Sequence, residues 1–121
     1  MEKSRTVVLI DDNETARDFI KSLLEDAGFT VIAFEFPKEA LFYIKEFKNA
    51  IDLVVTDFDM PGISGMEVIR AVKEMAPELK IIMASGNIAE EEKSEAVGLG
   101  AANVFKKPIN IKEFLEFLKS I

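Results

Sequence analysis

The sequence predicts an α/β domain with a five-stranded parallel sheet and helices on both faces. Two observations predict it. Five short apolar runs alternate with five stretches of helical periodicity, and the joints between them are only a few residues long. A parallel sheet with right-handed crossovers is the simplest way to bury such runs on both sides. The 121 residues, 49% of them hydrophobic, suffice for one core and are read as one domain over 1–121.

Thr6–Ile10 (TVVLI) is a β-branched run, read as a buried strand. Asn13–Ala27 then takes up helical period, with Ala16, Phe19, Ile20, Leu23, Leu24 and Ala27 on one face and Gly28 as its stop. Thr30–Phe34 is the second strand. Pro37 suits a first helical turn, and Ala40, Leu41, Ile44 and Phe47 stripe the helix it opens. Asp52–Thr56 is the third strand, followed by the loop DFDMPGIS. Ser64 and Glu67 have the spacing of a capping box, ahead of a helix carrying Val68, Ile69, Val72 and Met75. Leu79–Ala84 is the fourth strand. Asn87 with Glu90 is read as the cap of a weakly striped helix (Ile88, Ala89, Ala96, Val97). Asn103–Phe105 is a short fifth strand. Asn110 with Glu113 caps the last helix, which buries Ile111, Phe114, Leu115 and Leu118 and leaves Phe117 off the stripe. No repeat, low-complexity segment or linker interrupts this order. The chain stops at the end of its last helix, so no output domain is expected.

The absences narrow the chemistry. There is no Cys, which excludes disulfides, thiolate metal sites and thiol catalysis. There is no His, which excludes Ser–His and Cys–His catalysis, imidazole ligands and a phosphohistidine. A net charge of -7 and only three arginines argue against direct contact with nucleic acid or an anionic membrane. No apolar run is long enough to span a membrane. The start, MEKSRTVVLIDD, runs into acids too soon for a signal peptide, so a cytoplasmic protein is expected.

In an open α/β sheet, ligands bind beyond the carboxyl ends of the strands. Asp11 and Asp12 follow the first strand, Asp57 and Asp59 the third, Ser85 the fourth, and Lys107, before Pro108, the fifth. Parallel strands put all of these on one rim. Carboxylates crowded there raise each other's pKa, and a divalent cation relieves that cost. Oxygen donors without imidazole or thiolate suit Mg²⁺. A rim so equipped can neutralise phosphoryl oxygens while a carboxylate attacks phosphorus, giving an aspartyl phosphate. Each element alone has an ordinary explanation: a helix cap, a turn, a solvated lysine. Their coincidence at four strand ends does not.

At this point the sequence resembles the response-regulator receiver domains of two-component signalling. The motifs are VLIDDN, VVTDFDMPGISG, IIMAS and GAANVFKKP, and together they cover nearly the whole chain. The resemblance implies the strand order 2-1-3-4-5. It implies that Asp57 accepts the phosphoryl group. It implies that Asp12 and Asp57 ligate Mg²⁺ through side chains, Asp59 through its backbone carbonyl and Asp11 through water. Lys107 would pair with the phosphoryl group and Ser85 would hydrogen-bond it. The donor would be a phosphohistidine on a sensor kinase or phosphotransfer protein, and the output a changed surface for a downstream protein. The chain departs from the family at Val104, where such domains usually carry Tyr or Phe. Phe105 is one residue along and should point to the opposite face of its strand. Gly86 stands where Ala is common. Asp59 and Asn87 flank the acceptor region and are placed to tune the lifetime of the phosphoryl state.

Three rivals have weaker support. Asp57-Phe58-Asp59 resembles the nucleophile motif of haloacid-dehalogenase-type phosphohydrolases, but those place it on the first strand and carry a late acidic pair. A flavodoxin-like module would want a Ser/Thr/Gly-rich phosphate loop where Asp11-Asp12 stands. A degenerate receiver that only docks would not need the full set of acids, hydroxyl and lysine.

Overall fold

The structure, a computed structural model, describes residues 5–121. The first four residues, part of the stretch weighed against a signal peptide, lie outside them. The elements run β1 (Thr6–Ile10), α1 (Glu14–Asp26), β2 (Thr30–Phe34), α2 (Pro37–Phe47), a 3-10 turn (Lys48–Ala50), β3 (Leu53–Asp57), α3 (Gly65–Met75), β4 (Lys80–Ser85), α4 (Glu90–Gly98), β5 (Asn103–Lys106) and α5 (Ile111–Ser120). All strand pairs are parallel, in the order β2-β1-β3-β4-β5.

Alternation along each strand divides the core into two halves. Val8, Ile10, Val54, Ile81, Met83 and Val104 face α2, α3 and α4, where Ala40, Ile44, Val68, Ile69, Val72 and Ala96 meet them. Val7, Leu9, Val55, Ile82, Ala84 and Phe105 face α1 and α5, against Ile20, Leu24, Phe114 and Leu118. Val104 and Phe105 therefore lie on opposite faces, as their adjacency requires. Phe105 meets Phe114 and Phe117 edge-on, at ring separations of 5.1 and 5.5 Å.

Boundaries differ from the expected ones in a consistent way. β3, β4 and β5 each run one residue further, so Asp57, Ser85 and Lys106 are strand residues paired with Ala84, Lys106 and Ser85 respectively. Hydropathy cannot reveal this, because polar side chains do not prevent the main chain from pairing. Asp52 drops out of β3, and its carboxylate accepts the Thr6 amide at 2.8 Å. The expected Asn87–Glu90 cap does not form. Helix α4 begins later, with the Glu92 carboxylate accepting the Ala89 amide at 2.9 Å. The caps at α3 and α5 do form, through Ser64 with Glu67 and through Asn110. Phe19, Phe47, Val97 and Ile111, expected on buried stripes, are exposed at the stripe edges. Ala27 is likewise exposed, at the C-cap of α1.

No helix among the described residues is long and apolar enough to cross a membrane.

Candidate functional site

The strand ends bring Asp11, Asp12, Asp57 and Lys107 together. Asp11 is 1% exposed and held from several sides. Its own amide donates to the Phe34 carbonyl at 3.1 Å, tying the end of β1 to β2. Its Oδ1 accepts the Asn13 amide at 2.9 Å, and its Oδ2 accepts Lys107 Nζ at 2.8 Å. The Arg17 guanidinium donates to its backbone carbonyl at 2.9 Å. Lys107 Nζ stands 3.5 Å from Asp57 Oδ1, so the lysine leans on Asp11 more closely than on Asp57. The Lys107 amide donates to the Ser85 carbonyl at 2.8 Å, which fixes where its stem begins.

Asp57 ends β3 and is half-buried. Its Oδ1 accepts the Phe58 amide at 2.8 Å, and its backbone carbonyl accepts the Thr56 hydroxyl at 2.9 Å. Burial pushes the Asp57 carboxyl above the usual carboxylate range; Lys107 opposes this, Asp11 and Asp12 add to it, and the Phe58 amide counters. Asp11, Asp12 and Asp57 each present a carboxylate oxygen, and the three lie within 4.8 Å of one another. A trio of hard oxygen donors around an acid reluctant to ionise fits a divalent cation such as Mg²⁺.

An open cleft of about 560 Å³ lies over Asp57. Asp57, Asp59, Ser85 and Lys107 form its polar side, and Phe19, Pro108 and Ile109 its apolar side. Ser85 is 2% exposed, and its hydroxyl accepts the Asn87 amide at 3.4 Å. Gly86 leaves the space beside it open: a Cβ there would reach only Lys107 Cβ, at 3.9 Å. Asp59 is exposed, and its carboxylate is not part of the trio.

Two supporting residues escaped the sequence. Arg17 lies one helical turn beyond the Asn13 cap, a spacing that turns it back toward Asp11, but nothing in the pattern separates it from a solvated arginine. Gly65 opens α3 against the end of β3 at Asp57. A Cβ at this position would lie 2.3 Å from the Asp57 carbonyl oxygen and 2.8 Å from Met83 Cε.

The raised Asp57 carboxyl has a consequence for stability without metal. The folded state holds the Asp57 proton to higher pH than the unfolded chain does, so ionisation costs stability. That cost is absent below about pH 4, the ordinary carboxylate value, and grows as pH rises through the elevated one. Asp57→Asn is therefore expected to melt higher than the parent at neutral pH in chelator. The gain should vanish under acid conditions, and a neutral-pH melting temperature at or below the parent's would contradict it.

The structure is a doubly wound α/β sheet whose carboxyl rim gathers three carboxylates, a lysine and a hydroxyl. The family model for the response regulator receiver domain matches residues 7–119. The chain belongs to this family, the receiver domains of two-component signalling. The chain is 31% identical over 107 residues to the two-component response regulator ARR12 of Arabidopsis thaliana, covering 88% of this chain and 18% of the relative. It is 30% identical over 119 residues to the phosphate regulon transcriptional regulatory protein PhoB of Pseudomonas aeruginosa, covering 97% of this chain and 51% of the relative. The chain thus spans about half or less of these relatives' lengths. Among solved structures, a receiver domain protein from Clostridium thermocellum superposes with a TM-score of 0.90 at 30% identity, covering 96% of this chain and 92% of that one.

Proposed function

We propose that Asp57 receives a phosphoryl group from a phosphohistidine on a sensor kinase or phosphotransfer protein. A carboxylate oxygen of Asp57 attacks phosphorus, the phosphorus–nitrogen bond breaks, and the departing imidazole takes up a proton. Lys107, already 3.5 Å from Asp57 Oδ1, neutralises a phosphoryl oxygen as the acyl phosphate forms. The Ser85 hydroxyl, on the same cleft, hydrogen-bonds another. Asp11, Asp12 and Asp57, with the Asp59 backbone carbonyl, would hold Mg²⁺, which supplies neutralisation of phosphoryl charge when bound. Asp11 keeps Lys107 from collapsing fully onto Asp57 and so leaves the acceptor oxygen approachable. The phosphorylated rim then presents an altered surface to a downstream protein. On this reading the chain acts in the cytoplasm, with residues 1–121 forming a receiver domain. It turns over no substrate besides its own phosphoryl group and makes no direct contact with nucleic acid.

The observation that carries this reading is the half-buried Asp57 at the floor of a cleft, flanked by Lys107 and two further carboxylates. Incubation with acetyl phosphate and Mg²⁺ should add the mass of one phosphoryl group, and chelator should prevent it. Mg²⁺ alone should raise the melting temperature, since it binds only the folded trio. An adduct indifferent to chelator, or none from either acetyl phosphate or a phosphohistidine donor, would overturn the proposal.

A further inference from the structure

The outer face of α2 takes no part in the site, and its chemistry is self-complementary. Phe42 stands at its centre, 71% exposed. At 100° per residue, Lys38 and Lys45 fall about 40–60° to one side of Phe42, and Glu39 and Glu46 about as far to the other. All four are exposed, and none is in an ion pair among the described residues. The spacing explains this. Three or four positions along the helix, each charge finds only Leu41, Phe42 or Tyr43. The face is therefore a basic stripe and an acidic stripe separated by an aromatic ring, with nothing on its own helix to satisfy either.

We propose that this face pairs with the same face of a second copy, the two α2 helices running parallel. A twofold axis along the helices turns each basic stripe onto the partner's acidic one. Lys38 then faces the partner's Glu39, Lys45 faces the partner's Glu46, and the reciprocal pairs form on the other flank. Phe42 meets the partner's Phe42 across the axis. An antiparallel arrangement would set lysine against lysine and glutamate against glutamate, so the charges select one orientation. Exposed ion pairs add little affinity. The ring supplies the apolar contact and the charges supply the register, in a small interface that assembles at high protein concentration. Helices in this fold run opposite to the strands they connect, so both acidic rims point the same way and stay uncovered.

The chain contains no Cys, which makes the orientation directly testable. Sedimentation at rising concentration should show the mass move from 13.5 kDa toward twice that value, and Phe42→Ala should keep it monomeric. The double variants K38E/K45E and E39K/E46K should each be monomeric alone and should pair when mixed. Exposed Asn49 lies just past the end of α2, and Asn49→Cys should form an intermolecular disulfide, since parallel helices bring the two thiols together. Antiparallel helices would hold them about 20 Å apart. A monomer at every concentration, no pairing on mixing, or a dimer that Asn49→Cys does not cross-link would each overturn the proposal. Circular dichroism shows whether these surface variants keep their fold, and the mixing experiment holds whichever single variant is lost.

Discussion

Asp57→Ala is expected to take up no phosphoryl group from any donor, at any magnesium concentration, while keeping its fold. The neighbouring acids offer no substitute, for separate geometric reasons. Asp11 is buried, with one oxygen on the Asn13 amide and the other on Lys107, and it does not line the cleft over Asp57. Asp12 belongs to the trio but is not among the residues that line the cleft. Asp59 lines the cleft, yet its carboxylate stands outside the trio and makes no ion pair among the described residues. Intact-mass measurement of parent and variant side by side checks this. An adduct persisting on Asp57→Ala would move the acceptor elsewhere. Asp59→Ala, by the same geometry, should still be modified.

Gly65→Ala is expected to damage stability and phosphoryl uptake together. The added methyl would sit 2.3 Å from the Asp57 carbonyl oxygen, a backbone atom that cannot swing aside as a side chain would. Overpacking of this kind costs about 1–3 kcal/mol. The chain can relieve it only by parting α3 from the end of β3, which would lengthen the 2.8 Å bond from the Gly65 amide to the Phe58 carbonyl. That carries the acceptor with it, and a displacement of about 1 Å at a reacting group can cost roughly 100-fold in rate. Chemical denaturation and the rate of acetyl phosphate labelling measure the two effects on one preparation. Gly98→Ala is a control, because nothing lies within 4 Å of its missing Cβ. Unimpaired labelling in Gly65→Ala would show that the acceptor tolerates the shift.

Much of this was readable from residue order, and the parts that were not share a cause. The central strands are apolar on both faces, so runs such as VVLI and LVV declare themselves without tertiary information. Hydropathy puts Asp57 and Ser85 beyond their strands because it ends where polarity begins, although main-chain pairing does not. Periodicity alone puts Phe19, Phe47 and Ile111 in the core, because it gives an angle and not the width of the surface the helix meets. At the rim, chemistry dictated which residues gather, since few other arrangements explain acids at two strand ends and a lysine at a third. The pairing within that gathering was not legible. Lys107 reaches past the ends of β4 and β3 to Asp11, whose carboxylate is oriented by the Asn13 amide, a contact between groups far apart in sequence.

The two helices beside β5 rest on unlike bearings. Under α5, Phe114 and Phe117 interlock edge-on with Phe105, and any sliding must separate rings. Under α4, the one fully buried residue of the helix is Ala96, on a bed that includes Ala101 and Val104. Small side chains leave few ridges to climb. Mechanical load arriving at the ends of β4 and β5 therefore meets a locked joint on one side and a smooth track on the other.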